Sequence, residues 1–322
     1  MPEKDDKLQP LDLKGVKTYP LASRPSKVKL EDFGKVLSKN STTAEFLDSL
    51  PRVLAVQSLR ELVTRVLKAR ELCKPIIWGL GGHVIKTGLA PILIDLMDHK
   101  LVSGIAVNGS VLVHDAEIAM VGSTSEDVDA TLAEGFFGGA EETGALLNKA
   151  AVAGEQAGIG LGESLARTLS ASEPAHRANS LLCAAFEREV PLTAHLTIGG
   201  DIAHFHPNVS GAALGATTHT DFRLLAEMVR QMDRGGVYLN IGSAVVLPEV
   251  FLKCVTVVRN LGHPLKDITT ANFDFIQSYR PLTNVVRRPT DNGGNSKGFA
   301  ITGHHELTIP LFAAMLKVSA AR

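Results

Sequence analysis

The chain has 322 residues, 45% of them hydrophobic, with a formal net charge of -1. That is enough apolar material for one large α/β domain or two average ones, and the balanced charge gives no electrostatic case for nucleic acid or an acidic membrane surface. The three cysteines, Cys73, Cys183 and Cys254, are far apart and form no CxxC pair, which points to reduced core thiols and not to a disulfide framework.

In chain order, the charged start MPEKDDKLQP has no apolar stretch behind it, so no signal peptide is expected. No apolar run is long enough to predict a spanning helix. A cytoplasmic protein acting on a small molecule is the expectation. Residues 1 to about 40 are polar, with scattered prolines and lysines, and read as an arm with little structure of its own, on the surface or against a neighbouring subunit. Residues 41–322 read as a single domain. Thr42-Thr43-Ala44-Glu45 has capping-box spacing ahead of AEFLDSL. Ser58-Leu59-Arg60-Glu61 repeats the signal ahead of a helix with Leu59, Leu62, Val63, Val66 and Leu67 on one face.

The segment from Ile76 to Gly122 organises the rest. Ile76-Ile77-Trp78 is an apolar run that breaks at Gly79. Gly81 and Gly82 precede a stretch with apolar residues at helical spacing from Val84 to Met97. A second apolar run, Gly104 to Val107, ends in Asn108-Gly109-Ser110. The pattern predicts strand, glycine turn, helix, strand, polar turn, helix. Further on, Gly158, Gly160 and Gly162 resemble part of a dinucleotide fingerprint, but they follow a helical segment and not a strand, so a plain loop is the better reading. Pro191 to Ile198 predicts a third strand. It is followed by Gly199-Gly200-Asp201 and a long polar loop with His204, His206 and His219. Asp221 to Met232 predicts a helix. Val237 to Ile241 predicts a fourth strand with a Gly242-Ser243 turn and a helix from Val245 to Asn260. Short strands are expected at Asp267–Ala271, Asn284–Val286 and Phe299–Thr302, with a turn at 290–295. Glu306 to Ser319 closes as a helix with Pro310 in its first turns.

Strands alternating with helices predict an α/β fold: a Rossmann-like, mostly parallel sheet with helices on both faces. Four strands end in Gly/Asn/Ser/Asp turns. Gathered at one edge, such turns offer backbone N–H groups and helix N-termini to a phosphate or carboxylate.

The order of these segments resembles the deoxyhypusine synthase family. The matching stretches are TGLAPILIDLMDHKLVSGIAVNGS, VPLTAHLTIGGDI, GVYLNIGSAVVLPEVF, TNVVRRPTDNGGNS and ITGHHELTIPLFAAML, spread over roughly residues 74–318. The resemblance implies a Rossmann-like domain that binds NAD, usually as a homotetramer. It places cofactor contacts at Gly82, His83, Asn108, Gly109, Asp115, Asp201 and Asp291. One departure matters for function. The family forms an imine on a lysine in an SWGK segment, and here the corresponding interval is GGNSKGFAITG. Lys297 is the only lysine nearby, and Leu247-Pro248-Glu249 replaces the family's histidine pair. Deoxyhypusine synthesis itself is therefore not expected. NAD-dependent oxidation of a small amine or amino compound, with or without group transfer, is.

The candidate catalytic residues are Glu249 as general base, His206, and Lys297 as a displaced imine lysine, although a surface lysine in a glycine-rich loop is the better reading of Lys297. The surrounding loop leaves another reading open. His204 and His206 share one face of an extended segment, and with Asp201 and His304 or His305 they have the donors for a metal-dependent hydrolase. Loop histidines that donate to backbone are the structural alternative. Asp115 and Glu117 are spaced so that at most one faces the pocket. Lys86 is either a phosphate contact or a solvated side chain, and Arg280, Arg287 and Arg288 either bind a substrate carboxylate or line a solvated edge. A non-catalytic protein that keeps the pocket and lacks the lysine is the third possibility.

Overall fold

The computed structural model describes residues 8–321. Its centre is a six-stranded sheet in which every neighbouring pair is parallel, in the order β3-β2-β1-β4-β5-β6. The strands are β1 (Ile76–Leu80), β2 (Gly104–Asn108), β3 (Leu192–His195), β4 (Val237–Ile241), β5 (Thr269–Asp274) and β6 (Lys297–Thr302). The helices are α1 (Thr43–Ser49), α2 (Leu54–Glu71), α3 (Gly82–Lys86), α4 (Ala90–Asp98), α5 (Gly109–Val121), α6 (Val128–Thr131), α7 (Glu141–Ala157), α8 (Leu161–Ala171), α9 (Leu181–Glu187), α10 (Gly211–Gln231), α11 (Val246–Asn260), α12 (Tyr279–Pro281) and α13 (His305–Ala320).

Both faces of the sheet are covered at its centre, which is why β1, β2 and β4 are near-continuous apolar runs, whereas the edge strand β6 alternates between exposed and buried residues. Alternation along β1 shows how the layers form. Trp78 and Leu80 enter the larger core, with Leu62 and Val66 of α2, Leu93 of α4, Leu112 of α5 and Phe312 of α13. Ile77 enters the smaller core, with Val229 of α10 and Phe251 and Val258 of α11. Trp78 is fully buried because its indole N–H also finds a partner, the Leu101 carbonyl at 3.0 Å.

Several local expectations hold. Thr42 caps α1, with Glu45 completing the capping box. Pro310 lies inside α13 in its first turns, as placed. Others need correction. Helix α2 starts at Leu54, so Ser58 lies inside it and caps nothing. The long histidine loop ends earlier than expected, because α10 begins at Gly211. Thr217 and Thr220 belong to that helix and return their hydroxyls to the carbonyls of Ala213 and Ala216, which disguises helix as polar loop. Residues 284–286 are not a strand. They lie in a π-helical turn, Leu282–Arg287, entered from α12.

Residues 8–41 carry two short 3-10 turns, Leu21–Ser23 and Leu30–Asp32, and are almost wholly exposed. The arm meets the domain where the Lys35 N–H donates to the Ser49 carbonyl and the Arg52 N–H to Asp32. Among the described residues no helix is long and apolar enough to cross a membrane.

Candidate functional site

Because all six strands run the same way, every strand-end turn with a glycine or asparagine signature lies along one edge. The order reverses between β1 and β4, and such a switch point is where open α/β sheets leave a crevice for ligands. Here the crevice floor is bare backbone. A Cβ on Gly81 would lie 2.1 Å from the Gly242 carbonyl oxygen, so the β1 and β4 turns can touch only without a side chain. Gly242 takes the left-handed conformation at φ 67°. Its own missing Cβ leaves room for the His305 ring.

His305 is buried at the start of α13 and faces the exposed His83 edge-on, with ring centroids 5.7 Å apart. Its Nε2 lies 3.1 Å from the Phe273 carbonyl, which can only accept, so Nε2 carries the hydrogen in the neutral ring. Its Nδ1 is buried and has no hydrogen-bond partner among the described residues.

Next to this floor, on the β2 side, is a cavity of about 250 Å³. Lys86 from α3, Ser110, His114 and Glu117 from α5, Glu126 from the following loop and Asp201 from the loop after β3 line it. Three carboxyl groups thus stand against one lysine. The N-terminus of α5 is already occupied from within the chain. Asn108 caps it by accepting from the Val111 N–H, and the Asp201 carboxyl sits where a Gly109 Cβ would be. Asp201 also accepts from the Thr197 N–H at 2.9 Å, while burial raises its pKa above the usual carboxylate range. With a carboxyl group at that helix end, the cavity favours a cation or hydroxyl donor over a second anion.

Of the expected cofactor residues, Gly82, His83, Asn108, Gly109 and Asp201 come together at this edge. Asp115 is a correction. It is fully buried, accepts from the Ser180 hydroxyl and from the N–H groups of Leu181 and Leu182, and so anchors the start of α9. Asp291 is another. It is exposed in the turn that leads into β6, next to Asn292, which donates to the Leu265 carbonyl ahead of β5, at the amino edge of the sheet.

The expected catalytic set disperses. Lys297 is the first residue of β6, also at the amino edge, and is held by Glu61. Glu249 is bound by Lys253, Asn284 and Arg280, and chiefly the Lys253 hydrogen bond lowers its pKa, the wrong direction for a general base. His206 is buried against α7 with Nε2 3.1 Å from the Gly138 carbonyl. His204 accepts from the Gly199 N–H, and His304 stacks on Phe275. Among the described residues no three His, Cys, Asp or Glu side chains are arranged to hold a metal, so the hydrolase cluster does not assemble. His195, at the end of β3, bonds Thr193, and burial pushes its pKa down to about 3. Of the arginines, Arg280 pairs with Glu249 and Arg288 with Asn284.

The sequence points to Ser110 only as part of a turn and does not point to His114. Their signal is spacing: with Glu117 they fall at i, i+4 and i+7, one face of the helix after β2.

No protein-family model matches the chain, and no curated protein sequence matches it. Solved structures do match in fold. A conserved LOR/SDH-like protein from Methanococcus maripaludis S2 has a TM-score of 0.50 at 15% identity, over 89% of this chain and 73% of that one. AgrE, solved as a ternary complex with ornithine and NAD+, has a TM-score of 0.53 at 13% identity, over 82% of this chain and 33% of AgrE. This chain therefore spans about a third of AgrE. A deoxyhypusine synthase-like protein from Entamoeba histolytica has a TM-score of 0.51 at 10% identity, over 89% of this chain and 97% of that one. The fold is that of the deoxyhypusine synthase-like α/β proteins, at a distance.

Proposed function

We propose that the protein is an NAD-dependent enzyme that oxidises a small amine or amino acid. The observation that carries this reading is the side-chain-free junction of Gly81 with Gly242 at the switch point, beside a cavity with three carboxyl groups and one lysine. AgrE, with its ornithine and NAD+ complex, supports it as a distant relative in fold.

The residues present fit a dinucleotide. Gly82 and His83 would hold one half. The Gly242–Ser243 turn would hold the other, and the unfilled Nδ1 of His305 would accept from a carboxamide N–H. When bound, oxidised nicotinamide supplies a hydride acceptor. The chain's own part is to orient the substrate. Glu117, Glu126 and Asp201 attract its ammonium group, and the cavity walls limit its size. Imine-based group transfer finds no lysine at the expected place, since Lys297 is at the opposite edge. A cytoplasmic homotetramer, with residues 1–40 as an arm on a single domain of 41–322, completes the proposal. Sedimentation equilibrium tests the assembly.

The functional test has two stages. NAD+ is expected to raise the melting temperature, since a ligand that binds only the folded state stabilises it. Ornithine, arginine and simple diamines are then screened for reduction of the bound nicotinamide. Absence of a melting shift with millimolar NAD+ contradicts the proposal at its base.

A further inference from the structure

Two residues that line the cavity, His114 and Glu117, are joined through Thr124 in a hydrogen-bonded relay. Thr124 Oγ1 lies 2.5 Å from Glu117 Oε2 and 2.7 Å from His114 Nδ1. A hydroxyl has one hydrogen to give, and a carboxylate can only accept. Thr124 therefore donates to Glu117 and must accept from His114, which puts the imidazole hydrogen on Nδ1. Glu117 is fixed at its other oxygen too, by the Thr143 hydroxyl at 3.2 Å. The consequence falls on Nε2. It is left as a bare lone pair with no hydrogen-bond partner among the described residues, on a ring that lines the cavity.

From this arrangement, and resting on the reading of the site as one for an amino compound, we infer that His114 is its general base, with Thr124 and Glu117 as positioning residues. The ligand it serves is a small primary ammonium. The Nε2 lone pair forms a bond to one ammonium hydrogen, the N–H bond breaks, and its electron pair stays on the amine. The neutral amine is the form whose adjacent C–H can lose hydride. Other charged groups around the cavity suit this transfer. Glu126 and Asp201 add attraction for the ammonium, while Lys86 from α3 faces the imidazole. Burial is the main cause that lowers the His114 pKa. Glu117 raises it and Lys86 lowers it. The ring is thus held in its neutral form, which leaves the Nε2 lone pair available, while the same shift weakens it as a base.

The test uses the full chain and imidazole nitrogen NMR, which reads the tautomer without turnover. His114 is expected to carry its hydrogen on Nδ1 at neutral pH. Thr124→Val should release the ring to the other tautomer or a mixture, and Thr124→Ser should restore it. Finding the hydrogen on Nε2 in the unaltered protein overturns the inference. Saturating ornithine, arginine or a diamine should move the Nε2 resonance toward its protonated position, and no movement with any of them also overturns it. In His114→Gln, amine-dependent nicotinamide reduction should fall at least about 100-fold, within the range for a lost general base, with the NAD+ melting shift retained. Unchanged turnover overturns the assignment. If the unaltered protein shows no NAD+ melting shift, the oxidoreductase reading fails, whereas the tautomer and the ligand-induced shift still decide the role of His114.

Discussion

Two glycine-bordered helix starts in this protein face an aspartate, and only one of them borders a cavity. At α8, Asp221 is fully buried and accepts from the N–H groups of Gly162 and Ala194 at 2.9 Å each. A Cβ on Gly160 would lie 1.8 Å from its other oxygen. The glycines that resemble a dinucleotide fingerprint therefore wrap a carboxylate of the chain itself, tying α8 to β3. At α5, Asp201 occupies the equivalent place over Gly109 but stays half-buried at a cavity mouth. Asp115 at α9 repeats the buried version. A helix N-terminus needs acceptors for its free N–H groups, and the fold supplies carboxyl oxygens from within the chain. What separates structure from function is whether space remains beside the carboxyl group.

That difference predicts a graded set of effects. The largest is Asp221→Ala, which leaves buried backbone donors unmet and should cost about 4 kcal/mol in urea unfolding. Loss of under about 1 kcal/mol would make the anchor unimportant. The same residue sets a pH dependence. Burial raises its pKa from 3.8 to about 7, so the folded state holds a proton that the unfolded chain releases. Its contribution to stability is full below about pH 4, declines as pH rises, and is gone above about pH 7. Asp221→Asn should remove that decline from a stability–pH curve.

Next in size is Gly81→Ala. Its Cβ meets backbone that cannot swing aside, so a loss of about 2 kcal/mol and of the NAD+ melting shift is expected. A retained shift would take the dinucleotide away from the switch point. Gly109→Ala should displace the Asp201 carboxyl at a smaller stability loss, about 1 kcal/mol, and weaken amine binding more than NAD+ binding in calorimetric titrations. The smallest effects are expected for Glu249→Gln and Lys297→Met. Both sit in exposed ion pairs, worth under about 1 kcal/mol. Turnover should not change, and a large loss would restore them to the site.

How far the sequence shows this depends on range. Local signals read true. The apolar runs of β1, β2 and β4 and their glycine turns mark the carboxyl edge, and Thr42 with Glu45 marks a helix start. Signals that depend on what a segment packs against do not. The glycines at 158–162 look alike whether they cradle a phosphate or Asp221, which is about 60 positions away in sequence. Lys297 looks near the site only when the family's lysine segment is sought in the interval before the last strand; the strand expected at 299–302 follows it, which in a parallel sheet puts it at the amino edge. His114 escapes notice because its partner Thr124 lies beyond the end of α5 and meets it only when the chain doubles back.

The most direct measurement is the melting temperature of the unaltered protein and of Gly81→Ala with and without NAD+. A shift is expected in the first, reflecting about 2.7 kcal/mol of stabilisation at a hundredfold excess over Kd, and none in the second. No shift in the unaltered protein, or equal shifts in both, would contradict dinucleotide binding at the switch point.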